Sequence, residues 1–379
     1  MKKAVLYKKL KNESVQCLAC RKKCFVAAGH EGICGVRRNI GGDLYLMVYG
    51  KAVAINTDPI EKKPLYHFLP GSQIFSFGTI GCNFRCSFCQ NWDISQTLNL
   101  IRGKKIDESA REKSFEEAFN EGRDLMPKEA VEYCEKNNIP SIAYTYNEPT
   151  IFSEYAHDTG VLARKIGIKN VYVSNGFESD ECLEYMKDFC DAINIDIKSF
   201  SEDFYVNTCG GTLRGVLETV EKAWKMGFWI EITTLVIPGL NDSDEELRSI
   251  AKFLAGISKD IPWHVTAFHP DYKMTEKKAT PPKTLESAYK IGVAAGLKYV
   301  YVGNIRGGLW NESTFCPKCG KLLVERDGMS CLSNNIKVDA RRHGKCPDCG
   351  EKIAGVWGGL SPGLSRNYKV YDTTKKTGS

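Results

Sequence analysis

Sixteen cysteines in 379 residues constrain this chain more than any other feature. Twelve lie in three groups of different spacing. The first is Cys17, Cys20, Cys24 and Cys34 (C-x2-C-x3-C-x9-C). The second is Cys82, Cys86 and Cys89 (C-x3-C-x2-C). The third is Cys316, Cys319, Cys346 and Cys349, two CPxCG knuckles with Cys331 between them. Such a density is too sparse for a disulfide scaffold in a chain of this length. The apolar stretch near the N-terminus is too short for a signal-peptide core, so clustered thiols point to metal rather than to disulfides. Cys134, Cys182, Cys190 and Cys209 are scattered and read as buried small hydrophobes.

The remaining composition is that of an ordinary globular protein, with 42% apolar and 26% charged residues. No apolar run is long enough to span a bilayer, which argues against a membrane protein. The net charge of +6 is mildly basic. It permits a nucleic-acid partner without favouring one.

Four segments follow from the pattern. Residues 1–70 read as a small, β-rich, cysteine-stapled element. Residues 71–308 alternate apolar strand-length runs (74–80, 141–146, 170–174, 192–197, 228–236, 263–268, 298–303) with amphipathic helical stretches. That alternation predicts an α/β fold, a parallel sheet covered by helices and closed as a partial (β/α)6 TIM-like barrel. Residues 309–360 read as a zinc-ribbon or rubredoxin-like unit, and 361–379 as a tail. The dense charge of 103–124 looks inserted and reads as a solvated helix or mobile loop, with a lid or partner-docking role as the alternative.

The central group follows directly on the first barrel strand, where barrel active sites lie. Three thiolates this close can hold three irons of a cubane and cannot complete a four-cysteine zinc site. The fourth iron is then left open to a small chelating cofactor. Cys82-x3-Cys86-x2-Cys89, with Phe88 just before the last cysteine, resembles the signature of radical S-adenosylmethionine (SAM) enzymes. Further strings widen the resemblance to roughly 15–360: CGVRRNIGGDLYLMVYG, DPIEKKPLYHFLPG, AYTYNEPTIF, YVSNGF, NIDIKSF, TTLVIPGLND, FHPDYKM and CPKCG…CPDCG. They are similar to the pyruvate formate-lyase activase branch, and within it to the radical SAM proteins of AmmeMemoRadiSam systems.

The resemblance implies a [4Fe-4S] cluster on Cys82, Cys86 and Cys89. It also implies reductive cleavage of SAM to a 5′-deoxyadenosyl radical that abstracts hydrogen from a substrate. Phe88, Asn147, Glu148, Ser174, Asn175, Asp196, Lys198 and His269 become candidate cofactor-binding residues. Most stand at the C-terminal ends of predicted strands. The family often carries Gly-Gly-Glu where this chain has Asn147-Glu148, so Glu148 is the stronger of the two. Each has an ordinary alternative: Glu148 as a helix-terminal acid, Ser174-Asn175 as loop chemistry, Asp196 and Lys198 as each other's partner, His269 as a structural histidine. Arg306 is left open as a further residue at the barrel mouth.

For the flanking groups, the C-terminal four cysteines suit a tetrahedral sulfur site holding zinc, or iron as an electron relay. The N-terminal four suit zinc or an auxiliary iron–sulfur cluster. Three substrate readings stand for the enzyme: a glycyl-radical enzyme activated by hydrogen abstraction, a small molecule or peptide, and RNA. Expected partners are a one-electron donor of flavodoxin or ferredoxin type and the Memo-like and AMMECR-like proteins for which the system is named. A non-catalytic nucleic-acid-binding or electron-transfer protein is the alternative class. Oxygen-sensitive clusters imply a cytoplasmic, anaerobic setting.

Overall fold

The computed structural model describes residues 1–305 and 312–358. Arg306, the 307–308 glycine pair and the tail 361–379 lie outside the described residues.

The N-terminal segment carries short strands, among them β1 (Val15–Cys17), β2 (Arg37–Ile40) and β3 (Asp43–Leu46). β2 and β3 form a hairpin whose turn is Gly41-Gly42, both at positive φ. This unit is fastened to the rest by a buried ion pair. Arg37 on β2 donates to Glu154 Oε1 at 3.1 Å and pairs with Oε2 at 2.5 Å. Glu154 also accepts from the Val5 and Leu6 N–H groups.

An eight-stranded sheet follows. In hydrogen-bonded order its strands are β4 (Ala54–Pro59), β5 (Gln73–Gly78), β6 (Ser141–Tyr144), β7 (Lys169–Ser174), β8 (Ala192–Asp196), β9 (Trp229–Val236), β10 (Trp263–Ala267) and β11 (Val300–Gly303). The seven from β5 to β11 are parallel. β4, which comes from the 1–70 segment, pairs antiparallel with β5 and forms one edge. The parallel strands read as continuous apolar runs because both faces are covered; every residue of β6 and β10 is buried.

Several of the covering helices begin at side-chain caps that satisfy free N–H groups of the first turn. Ser179 caps α4 (Asp180–Met186), Thr212 caps α5 (Leu213–Lys225) and Ser243 caps α6 (Asp244–Ile257). Before them in the chain run α1 (Glu108–Asn120), α2 (Pro127–Lys136) and α3 (Ser153–Lys165); α7 (Pro282–Ala294) is the last. The charged insert is thus largely a helix. α1 buries Phe115, Ala118 and Phe119 and exposes its charges.

The C-terminal unit packs against the N-terminal ends of the parallel strands. Glu231 near the start of β9 accepts from the Tyr66 and His67 N–H groups, Trp229 Nε1 and His264 Nε2, at 2.7–3.0 Å. His67 Nδ1 faces the Ala354 carbonyl at 2.7 Å and therefore carries the proton, leaving Nε2 to accept from the Tyr301 hydroxyl at 2.5 Å. Burial holds His67 neutral, lowering its pKa to about 4. Arg326 crosses the same junction to the Tyr66 carbonyl and to Glu61.

Candidate active site at the central cysteine loop

The loop carrying Cys82, Cys86 and Cys89 leaves the C-terminal end of β5, opposite the C-terminal unit. Its start is set by Gly81, at φ +84°, where a Cβ would lie 2.6 Å from the Cys34 carbonyl oxygen. Only glycine meets both conditions. Asn147, at the end of β6, then pins the turn. Its Nδ2 donates to Thr79 Oγ1 at 3.0 Å, Ile80 O at 3.3 Å and Gly81 O at 2.9 Å. Its Oδ1 accepts from the Thr79 N–H at 3.2 Å. Further along, Arg85 N–H donates to Cys209 O at 2.7 Å and Ser87 N–H to Thr208 O at 3.1 Å.

Around the thiols the electrostatics are uneven. Cys86 is buried, and Cys82 and Cys89 are half-buried. Burial pushes the Cys82 thiol up, and the neighbouring Glu148 pushes it further. Burial also raises Cys89, whose Sγ lies 3.2 Å from Ser95 Oγ. Cys86 is held below the usual thiol range, first by a hydrogen bond from the Cys209 thiol and then by the Lys198 charge. Lys198 pairs with Asp196 at 2.6 Å, and its Nζ stands 5.9 Å from the centre of the Phe88 ring.

Glu148 is fully buried and already engaged. It accepts from Thr150 N–H and Oγ1, Ser174 Oγ and the Asn175 N–H. It caps the short 3-10 helix Pro149–Phe152. Burial and the nearby Glu178 carboxyl push its pKa up to about 8. His269 stands apart at the exposed rim, 3.0 Å from Gln90 Nε2, near the stacked pair Trp92–Tyr272. The loop thus brings together Phe88, Asn147, Glu148, Ser174, Asn175, Asp196 and Lys198, with His269 at its outer edge.

Four residues carry more of the site than their sequence suggests. Cys209, read as a plain hydrophobe, meets Cys86. Asn83 accepts from Asn175 Nδ2 at 2.7 Å. Thr79 is locked to Asn147, and Glu178 is buried beside Glu148. The Cys-Asn string held a hint of Asn83. Nothing local marks Cys209, because a π-helical turn at Tyr205–Cys209 brings it in.

The family model described as the radical SAM superfamily matches residues 77–254, spanning the cysteine loop and the sheet from the end of β5 past β9. The chain belongs to the radical SAM superfamily. A Methanocaldococcus jannaschii protein described as uncharacterised is 42% identical to it over 93% of this chain and 99% of its own. The pyruvate formate-lyase 1-activating enzyme of Escherichia coli is 24% identical over 61% of this chain and 93% of that enzyme. The crystal structure of a domain of pyruvate-formate lyase-activating enzyme from Bacteroides vulgatus shows 17% identity and a TM-score of 0.39. That match covers 43% of this chain and 98% of the domain.

Membership of the radical SAM superfamily implies a [4Fe-4S] cluster and SAM, and the residues present fit both. Among the described residues the three thiols lie on one loop and do not converge on a single-ion site. Beside Cys82, two buried side-chain atoms have no partner: the donor Asn83 Nδ2 and the acceptor Asn175 Oδ1. An amino acid group offers both an acceptor and a donor and could pair with the two.

The C-terminal thiols differ. Cys316, Cys319, Cys346 and Cys349 all lie within 4.8 Å of one another, with Cys316–Cys349 and Cys319–Cys346 sulfur distances of 3.6 Å. A tetrahedral ion with about 2.3 Å bonds places its sulfurs roughly 3.8 Å apart. This is a site for one metal ion.

Proposed function

We propose that this radical SAM protein is an enzyme whose Cys82, Cys86 and Cys89 hold a [4Fe-4S] cluster with one iron kept for SAM. The cysteine triad on its loop carries the reading, and the unpartnered Asn83 Nδ2 and Asn175 Oδ1 beside Cys82 support it as atoms placed to meet a polar ligand. When bound, the two groups supply one-electron reductive cleavage of the sulfonium and hydrogen abstraction from a substrate. The protein's own residues orient and shield. Asn147 fixes the backbone entering the loop, and Glu148, Ser174 and Asn175 form a hydrogen-bonded shelf beside Cys82. Lys198 and Asp196 set the charge near Cys86, and Phe88 closes the wall on that side. His269, Gln90 and the Trp92–Tyr272 stack form the rim a substrate crosses. In this reading the seven parallel strands curve as an unclosed barrel around the shelf.

SAM titration of the anaerobically reconstituted protein tests it. Asn83→Ala and Asn175→Ala weaken binding by about tenfold each, the size of one lost buried hydrogen bond, while iron content stays at the wild-type level. Unchanged affinity in both variants contradicts the assignment.

The activase relatives, one of them described as a putative glycyl-radical enzyme activating enzyme, favour a polypeptide substrate. The string resemblance to AmmeMemoRadiSam proteins favours Memo-like and AMMECR-like partners instead. Following 5′-deoxyadenosine formation with added protein, small-molecule and RNA fractions separates these. A flavodoxin- or ferredoxin-type donor supplies the electron, and such oxygen-sensitive chemistry suits a reducing cytoplasm. The C-terminal four cysteines hold zinc as a clip. They sit at the end of the strands away from the cysteine loop, where an iron relay would have no near acceptor. Among the described residues no helix is long and apolar enough to cross a membrane.

A further inference from the structure

The N-terminal cysteines lie against the central loop. Cys17 N–H donates to the Cys24 carbonyl at 2.9 Å, closing the intervening turn. Cys20 forms a β-bridge with Glu178. Arg102 donates to the Gly32 and Ile33 carbonyls at 2.9 and 2.7 Å and so fixes the turn that presents Cys34. Cys17, Cys20 and Cys34 are buried, and Cys24 reaches the surface only in part. Each of the four thiols lies within electrostatic range of the other three.

Their spacing separates them from the C-terminal set. Among the described residues the C-terminal thiols converge to single-ion distances, and the N-terminal thiols do not. Four sulfurs bound to one ion are pulled together. Four sulfurs each on a different iron of a cubane stand further apart. The charges of Arg37, Arg102 and Lys22 reach these thiols and offset the negative charge of four thiolates with their cluster.

The path to the central loop is short. The Cys34 carbonyl contacts Gly81, the residue bonded to Cys82. Lys22 Nζ hydrogen-bonds the Gly210 carbonyl, next to Cys209, whose thiol meets Cys86.

We propose that Cys17, Cys20, Cys24 and Cys34 hold a second [4Fe-4S] cluster that passes single electrons to the cluster on Cys82, Cys86 and Cys89. A one-electron donor of the flavodoxin or ferredoxin class reduces the N-terminal cluster by one electron. That cluster returns to its resting state as the central one is reduced by the same electron, and no bond or proton changes place. The relay role rests on the central cluster proposed above; the N-terminal site does not.

The test uses the full chain, reconstituted anaerobically with iron and sulfide. Compared are the wild type, a Cys82/Cys86/Cys89→Ala form, a Cys17/Cys20→Ala form, and Cys24→Ser, whose partly exposed position makes it the mildest change. Acid-labile sulfide is the readout, because neither zinc nor a lone iron at the C-terminal site contributes any. The central variant and the N-terminal variants each keep about half of the wild-type sulfide. Full wild-type sulfide in both N-terminal forms, or zinc without sulfide in the central variant, overturns the proposal. Full sulfide in the central variant instead removes the central cluster and leaves this site standing. Stopped-flow reduction then tests the relay. In Cys24→Ser a reduced flavodoxin reduces the central cluster about tenfold more slowly, while dithionite acts at the wild-type rate. Equal rates with flavodoxin overturn the relay.

Discussion

The Asn147 carboxamide donates to the Gly81 carbonyl at 2.9 Å, one residue before the first central cysteine. It ties the end of β6 to the end of β5 at the point where the chain turns into the loop. An asparagine is needed because the same group must donate to carbonyls and accept from the Thr79 N–H. Asn147→Ala leaves several buried backbone groups unsatisfied and is expected to cost about 2–3 kcal/mol. Thermal unfolding and iron content after reconstitution check this. An unchanged midpoint with full iron occupancy refutes the pinning role.

The buried Glu148–Glu178 pair makes stability fall as pH rises. Glu148 is raised from 4.5 to about 8, and Glu178 is shifted the same way, so the folded chain holds protons that the unfolded chain has released. This contribution is complete below about pH 4.5 and is lost through about pH 8. Glu178→Gln removes one of the two carboxyls. It is expected to stabilise the iron-free protein by roughly 1–2 kcal/mol at pH 8, and by well under 1 kcal/mol at pH 4.5. Denaturant midpoints across that range decide, and a parallel offset at every pH counts against a shared proton.

Arg37 and Glu154 are almost fully buried together, with side-chain exposures of 1% and 0%. Glu154→Ala strands the guanidinium inside the protein and is expected to cost about 3–5 kcal/mol. The N-terminal unit should loosen first, which hydrogen exchange across β2 and β3 would show. Exchange unchanged there means the pair does not fasten that unit.

At the C-terminal site, Cys319 is exposed while Cys316 and Cys346 are buried. A competing chelator would therefore reach a metal held there from the Cys319 side. Cys346→Ser is expected to lose one metal ion per chain and leave the iron–sulfur content intact, because its site lies at the opposite end of the strands. Elemental analysis with sulfide assay measures both, and loss of sulfide contradicts that separation.

The sequence made the architecture legible where one force dominates. Strands expected at 170–174, 192–197 and 263–268 are found at 169–174, 192–196 and 263–267, since a strand buried on both faces must be apolar throughout. The two knuckles likewise announced their shared site. β4 was hidden in the N-terminal segment, because AINTDP is a half-exposed edge strand with no apolar alternation. Roles set by distant contacts were hidden too. Asn147 and Glu148 are neighbours in the chain, yet one pins the cysteine loop and the other caps a helix and meets Glu178. Cys209 has no nearby cysteine in sequence and touches one in space.

Cleavage of SAM is the most direct test of the central claim. Anaerobically reconstituted protein, given SAM and a low-potential reductant, is expected to form 5′-deoxyadenosine, and the Cys82/Cys86/Cys89→Ala form to make none. Absence of 5′-deoxyadenosine from wild-type protein with its central cluster assembled, alone and with each cell fraction added, would contradict the assignment of these cysteines to radical SAM catalysis.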